Sequence, residues 1–190
     1  LALFGYTAPS LREEWGLSVG DLSIGTASTF VGMLFGAVIG GRLADRIGRR
    51  PVMFGAVLIY SVVSIVTAFS PDYLFLIICR VITGLGLQAM LATLMVYLGE
   101  NFPQDKRGRY VSIVLWGGLF AVPGIAFLAS VIVPLGPGAW RWLYVIGAAG
   151  GLGLLAIRAV PESVRWLAAR GREEETERIV EKLEREALAK

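Results

Sequence analysis

Long uncharged runs alternate with short charged turns along this chain. Residues 22–41 carry no charge, and neither do residues 51–71. Each run is about 20 residues, the length at which a helix crosses a hydrocarbon core of ~30 Å. The same pattern continues to residue 160. It predicts spans over residues 21–43, 51–69, 73–100, 110–133 and 140–160, divided by Ser70-Pro71-Asp72, by a turn at residues 102–106 and by the Pro/Gly break at residues 134–138. Pro161 closes the apolar region. The opening run, residues 1–9, is too short to span and lacks the initiator Met and charged n-region of a signal peptide. It reads as the outer end of a first helix whose beginning lies before Leu1, ending near Pro9-Ser10. An interfacial loop over residues 11–18 then places Trp15 at headgroup level.

The expectation is an all-α membrane protein of six transmembrane helices, the first truncated. Residues 1–160 form the transmembrane helical bundle and residues 161–190 a cytoplasmic helical segment. In that tail, Glu174 with Arg178 and Glu181 with Arg185 stand at i,i+4 spacing. Composition agrees: 55% of residues are hydrophobic and 17% charged, with mean hydropathy +0.66, too apolar for an ordinary soluble domain. The net charge of +3 raises the question of a nucleic-acid partner. Lys and Arg sit at span ends, however, where membrane topology already accounts for them, so the reading is no nucleic acid and a lipid bilayer instead.

Charge also sets sidedness. Arg42, Arg46, Arg49 and Arg50 follow the second span, Lys106, Arg107 and Arg109 the fourth, and Arg158, Arg165 and Arg170 the sixth; the opposite loops hold only Arg12 and Arg141. The basic loops and the tail are therefore expected on the cytoplasmic side of the plasma (bacterial inner) membrane. Histidine is absent and Cys79 is the single cysteine, so the commonest general base is missing and no intrachain disulfide can form. No nucleophile–base pair or carboxylate cluster argues for an enzyme, and nothing calls for a cofactor or metal.

Small residues mark close packing. Gly32, Gly36 and Gly40 recur every fourth position of the second span, with Gly25 a turn and more before them. Such a face serves either static packing or a sliding interface, since lipid gives no hydrophobic drive for helix association. The third span is poor in glycine and reads as lipid-facing. Arg80, inside the fourth span, is the strongest functional residue on physical grounds: an Arg near a helix centre costs about 2.5–3.5 kcal/mol on insertion scales. Helical spacing sets Thr83, Gly84 and Gln88 on its face, a polar stripe beside a groove at Gly84 that would line a cavity. Alternatively, Arg80 snorkels to the outer headgroups. Tyr6 and Trp116 lie near the expected cavity level, placed to stack on a planar substrate or simply to pack.

Asp45, Glu100, Arg107 and the arginines around them could form an ion-pair network at the cytoplasmic ends, and here the spacing is specific. Gly41-x-Leu43-Ala44-Asp45-Arg46-x-Gly48-Arg49-Arg50 resembles the major facilitator superfamily signature between its second and third helices. Glu100-x-x-Pro103-x-x-x-Arg107-Gly108-Arg109 resembles the signature after the fourth helix, and Arg80-x-x-x-Gly84-x-Gly86 the start of that helix. Pro161-Glu162-Ser163-Val164-Arg165-Trp166-Leu167 resembles the segment after the sixth helix in the sugar-porter and metabolite–proton symporter branches. The resemblance covers essentially the whole chain. It implies the N-terminal half of a two-half fold, built as inverted three-helix repeats, with the substrate site between the halves. By the same resemblance, helices 1 and 4 line the cavity, 2 and 5 meet the other half, and 3 and 6 face lipid. It assigns Gly41, Asp45, Arg46, Gly48, Arg49, Arg50, Glu100 and Arg107 to a cytoplasmic gate. The acidic residue that some members carry in helix 1 would lie before Leu1.

Two positions depart from the family pattern. Leu115 stands where sugar carriers usually have Gln, and Val164 where Pro is common. The implied function is secondary active transport of a small organic metabolite, an organic or aromatic acid, by alternating access with proton symport. A sugar–proton symporter and a non-transporting structural or receptor-like membrane protein are the alternatives. Arg80, Gln88, Thr83, Tyr6 and Trp116 are the candidates for substrate or coupling. The expected partners are a small-molecule substrate, protons, lipid, and either a missing C-terminal half or a second copy of the chain.

Overall fold

Local signals set the helix boundaries. The Ser18 hydroxyl accepts the Asp21 N–H at 3.2 Å while the Asp21 carboxylate accepts the Ser18 N–H at 2.8 Å, a reciprocal cap that starts a long helix at Val19. Asp72 likewise accepts the Phe75 N–H at 2.8 Å where the next long helix begins. The computed structural model describes residues 2–101 and 104–188. Among them run α1 (Ala2–Trp15), α2 (Val19–Ile47), α3 (Arg49–Ala68), α4 (Tyr73–Asn101) and α5 (Gln104–Ile132), followed by a short 3-10 turn, then α6 (Trp140–Gly147), α7 (Gly153–Ala159), α8 (Val164–Ala169) and α9 (Glu173–Leu188). No strand occurs among the described residues. Five segments are long and apolar enough to cross a membrane: Val19–Ile47, Arg49–Ala68, Tyr73–Asn101, Arg107–Leu135 and Trp140–Ala159. Part of the turn expected at residues 102–106 lies outside the described residues, as do Leu1 and the end of the tail.

α4 is the central element, with α2 against one side and α3 against another. Glycines make the approach possible. A Cβ on Gly40 would stand 2.6 Å from the Ala89 Cβ, and one on Gly32, Gly36 or Gly84 would enter the carbonyl oxygen of Val81, Leu85 or Thr29. Gly86 serves the other side, where a Cβ would lie 2.9 Å from the Ala56 carbonyl oxygen. The glycine face of α2 is thus consumed in packing within this bundle. The groove expected at Gly84 is filled by the α2 backbone. α3 buries Val52, Met53, Ala56 and Val57 and leaves Leu58, Ile59, Val62 and Ile65 exposed. It is lipid-compatible on one face only.

Two expected boundaries shift. α1 does not stop at Pro9 but continues to Trp15. The proline removes one backbone donor, and tertiary contacts outweigh that loss. Leu11 is fully buried, Trp15 packs edge-on to Trp140 at 5.7 Å, and Glu14 accepts the Trp140 indole N–H at 2.6 Å and pairs with Arg141 at 2.8 Å. Trp15 therefore packs at the edge of the core. The sixth span is also not one helix: α6 and α7 are joined by a 3-10 stretch, Ala148–Leu152. Gly150 and Gly151 lie there because α3 presses close; a Cβ on Gly150 would be 2.6 Å from the Tyr60 hydroxyl.

Between α2 and α3 the chain turns at Gly48, whose φ of +109° suits glycine. A Cβ there would also enter the Glu162 carboxylate, which accepts the Arg49 N–H at 2.9 Å and caps the start of α3. In the tail, the described side chains of α9 are mostly exposed, and Arg172 pairs with Glu175 at its start. Arg185 of the expected Glu181 pair has no described side chain.

Gly32→Val and Gly36→Val force α2 from α4, so each is expected to destabilise the parent protein by about 3 kcal/mol or more. Gly55→Ala, where nothing lies within 4 Å, is expected to be neutral or to stabilise by up to about 1 kcal/mol. Thermal unfolding in detergent checks the contrast; equal effects at all three positions contradict the packing account.

Candidate functional site

Two polar constellations stand out, one inside the bundle and one at its basic end. Inside, α4 delivers Arg80, which is only 5% exposed. Its guanidinium carbon sits 4.4 Å from the centre of the Phe4 ring of α1, an attractive cation–π geometry in a desolvated setting. Phe4 is itself held in place, since its ring tip fills the space where a Gly25 side chain would be. The buried Tyr144 of α6 contacts the Thr7 hydroxyl of α1 at 3.4 Å. Arg80 Nε and Nη2 have no hydrogen-bond partner among the described residues. These two nitrogens form one edge of the guanidinium plane, the edge that grips a carboxylate with two parallel hydrogen bonds.

The polar stripe read from helical spacing is divided by the fold. Arg80 turns into the bundle toward Phe4, whereas Thr83 and Gln88 remain half-buried. Tyr6 is half-buried, and Trp116 is 58% exposed on α5, with its ring 5.8 Å from that of Phe120. Phe4, whose ring meets Arg80, carries no sequence signal of that role. It reaches Arg80 only through the packing of α1 against the bundle.

At the basic end, Arg49 is the hub. Its Nε and Nη2 donate to the two Glu100 oxygens at 2.9 and 2.7 Å, and its Nη1 donates to the Ala44 carbonyl at 2.9 Å. Asp45 joins at 3.1 Å. The two ion pairs differ in environment: the Glu100 side chain is 14% exposed and that of Asp45 73%. The Glu100 pair is therefore the strong one, because a shielded bidentate contact far outweighs a solvated pair worth under about 1 kcal/mol.

The other predicted gate residues attach differently. Arg50 donates from Nε to the Ile157 carbonyl at 3.3 Å and from Nη2 to that of Arg158 at 2.7 Å. Arg107 donates to the Gly99 carbonyl, and its Nε has no partner among the described residues. Arg46 is exposed, and its carbonyl accepts from Arg170 at 3.0 Å. Gly41 has open space around it, whereas Gly48 is filled as described above.

Sequence reasoning left the segment after α7 out of this network, although it quoted the motif. Ser163 donates to Glu100 at 2.7 Å, and Trp166 and Arg170 donate to the Asp45 carbonyl, each at 3.0 Å. Tyr97 donates to the Pro161 carbonyl at 3.0 Å. The run from Pro161 to Arg170 thus straps the ends of α2, α3 and α4 together.

The chain was compared with known proteins. It is 36% identical over 177 residues to the putative metabolite transport protein YyaJ of Bacillus subtilis, covering 93% of this chain and 39% of that protein. It is 34% identical to the 4-hydroxybenzoate transporter PcaK of Pseudomonas putida, covering 90% and 38%. Against the niacin transporter NiaP of Acinetobacter baylyi it is 31% identical, covering 97% and 42%. The chain thus spans about two-fifths of the length of these relatives. Among solved structures, the xylose transporter XylE from E. coli in a partially occluded inward-open conformation superposes with a TM-score of 0.87 at 24% identity, covering 99% of this chain and 52% of that one. A profile of the Major Facilitator Superfamily matches residues 1–188. With that match, the signature turn around Asp45 and the shared helical fold, this chain belongs to the Major Facilitator Superfamily, and its residues correspond to one half of the transporter fold.

Proposed function

We propose that the protein to which this half belongs is a secondary transporter that carries a small organic acid across the plasma membrane by alternating access, in symport with protons. The single observation that carries the reading is Arg80: a buried cation inside an apolar span whose Nε–Nη2 edge has no protein partner among the described residues. A fixed, desolvated guanidinium edge favours a planar carboxylate over a neutral sugar. Leu115, where sugar carriers usually have Gln, points the same way. So do the names of the relatives, which include carriers of 4-hydroxybenzoate, niacin and gallate.

In this reading Gln88, Thr83 and Tyr6 complete the polar lining, and Trp116 with Phe120 offers an aromatic face to the substrate ring. The exposed apolar face of α2 (Phe30, Leu34, Phe35) is covered by the other half of the transporter. The basic turns face the cytoplasm, and residues 161–190 begin the cytoplasmic connection to that half. The Arg49–Glu100–Asp45 network, with the strap that binds it, forms the gate at that side. Its closed arrangement stabilises one of the two access states.

Uptake into proteoliposomes containing the full-length protein tests this. 4-Hydroxybenzoate or nicotinate uptake is expected to rise several-fold under an inward proton gradient, xylose uptake to stay at background, and Arg80→Ala to fall below about a tenth of wild type. Xylose transport, or acid uptake indifferent to Arg80→Ala, would overturn it. For sidedness, an impermeant thiol reagent applied outside intact cells is expected to label Gly20→Cys and spare Ile47→Cys. At the gate, Glu100→Gln is expected to cost about 3 kcal/mol of thermal stability and Asp45→Asn under about 1 kcal/mol. Equal losses would contradict the burial argument.

A further inference from the structure

We propose that Phe4 is the positioning residue for Arg80: its ring, wedged between Gly25 of α2 and the guanidinium of α4, holds the cation in the orientation that receives the substrate carboxylate. This rests on the reading of Arg80 given above and adds a residue to it. Phe4 is 2% exposed and lies in a buried cluster with Leu11, Leu76 and Trp140. Leu76 stands one turn before Arg80, so Phe4 meets the face of α4 that carries the cation. The ring is held from two directions. At its tip, a Cβ on Gly25 would lie 2.6 Å from Phe4 Cζ and 3.2 Å from Phe4 Cε1. On its face, the Arg80 guanidinium carbon stands 4.4 Å from the ring centre. α1 itself fixes the level of the ring along the bundle, because Glu14 of the same helix accepts the Trp140 indole N–H at 2.6 Å and pairs with Arg141 at 2.8 Å.

Other arginines over aromatic rings provide the internal comparison. Arg141 meets Trp140 at 4.4 Å and also pairs with Glu14. Arg158 meets Phe54 at 5.5 Å and Arg170 meets Trp166 at 5.6 Å, both arginines being exposed. At Arg80 the ring and the cation are both buried, and a cation–π contact strengthens as water is excluded. The N–H groups of a guanidinium lie in its plane. Holding one side of that plane therefore sets the direction from which a carboxylate can accept two parallel hydrogen bonds. A phenyl ring does this without offering an acceptor that would compete with the substrate.

The test uses the full-length protein in proteoliposomes, with mono-, di- and trifluorophenylalanine placed at position 4. Fluorine drains the negative face of the ring and barely changes its size, so packing is kept while the attraction for a cation fades. The KM for 4-hydroxybenzoate is expected to rise stepwise along the series, reaching about fivefold with the trifluoro ring, with Vmax within about twofold and melting temperature unchanged. Phe4→Leu, which has no ring, is expected to raise KM about tenfold. Gly25→Ala pushes on the ring tip and is expected to raise KM and lower the melting temperature; adding Phe4→Leu to it relieves the clash, so the melting temperature recovers while KM stays high. A KM that is flat across the fluorinated series overturns the proposal, and when Arg80→Lys has lost uptake that result leaves the reading of Arg80 standing. Wild-type uptake by Arg80→Lys instead overturns the reading of Arg80 itself.

Discussion

The structure depends on backbone meeting backbone between α2 and α4. In a bilayer, association of helices gains nothing from expelling lipid, so it must come from close van der Waals contact and buried polar groups. Gly32, Gly36, Gly40 and Gly84 let the two backbones approach until a single methyl would overlap a carbonyl. With α2 held on one side of α4 and α3 on the other through Gly86, the orientation of α4 is fixed. The direction in which Arg80 points follows from that orientation.

Two arginines on this scaffold show how the same group serves opposite ends. Arg49 sits at a helix junction where Glu100, Asp45 and the Ala44 carbonyl satisfy its donors, so its charge is used up in joining α2, α3 and α4. Arg80 sits in the apolar interior against the Phe4 ring, with no ion-pair partner among the described residues. Burying a cation without a counter-ion is costly. The fold sustains that cost through the packing around α4.

Much of the architecture was legible in the chain. Apolar runs of membrane length, turns marked by Pro, Gly and Asp, and arginines gathered on alternate turns dictate spanning helices, because an unpaired backbone group or bare charge in hydrocarbon is too expensive for any other arrangement. The glycine periodicity of α2 was legible too, although not whether it served packing or sliding. Arg80 was conspicuous as a lone cation, and the Asp45–Arg49 pair was visible as an i,i+4 relation.

What the tertiary structure decided were relations between residues far apart in sequence. No local rule carries α1 past Pro9; Trp140 and Arg141 do so by binding Trp15 and Glu14 from the far side of the bundle. The break in the sixth span follows from α3 pressing on Gly150. Glu162 caps α3 and Ser163 joins Glu100 only because the strap folds back over the helix ends. Helical spacing put Arg80 with Thr83 and Gln88, yet packing turned it to Phe4. The amino-acid sequence fixes which groups must be buried, because burial costs belong to each side chain alone; which groups they meet there is set by how the helices cross.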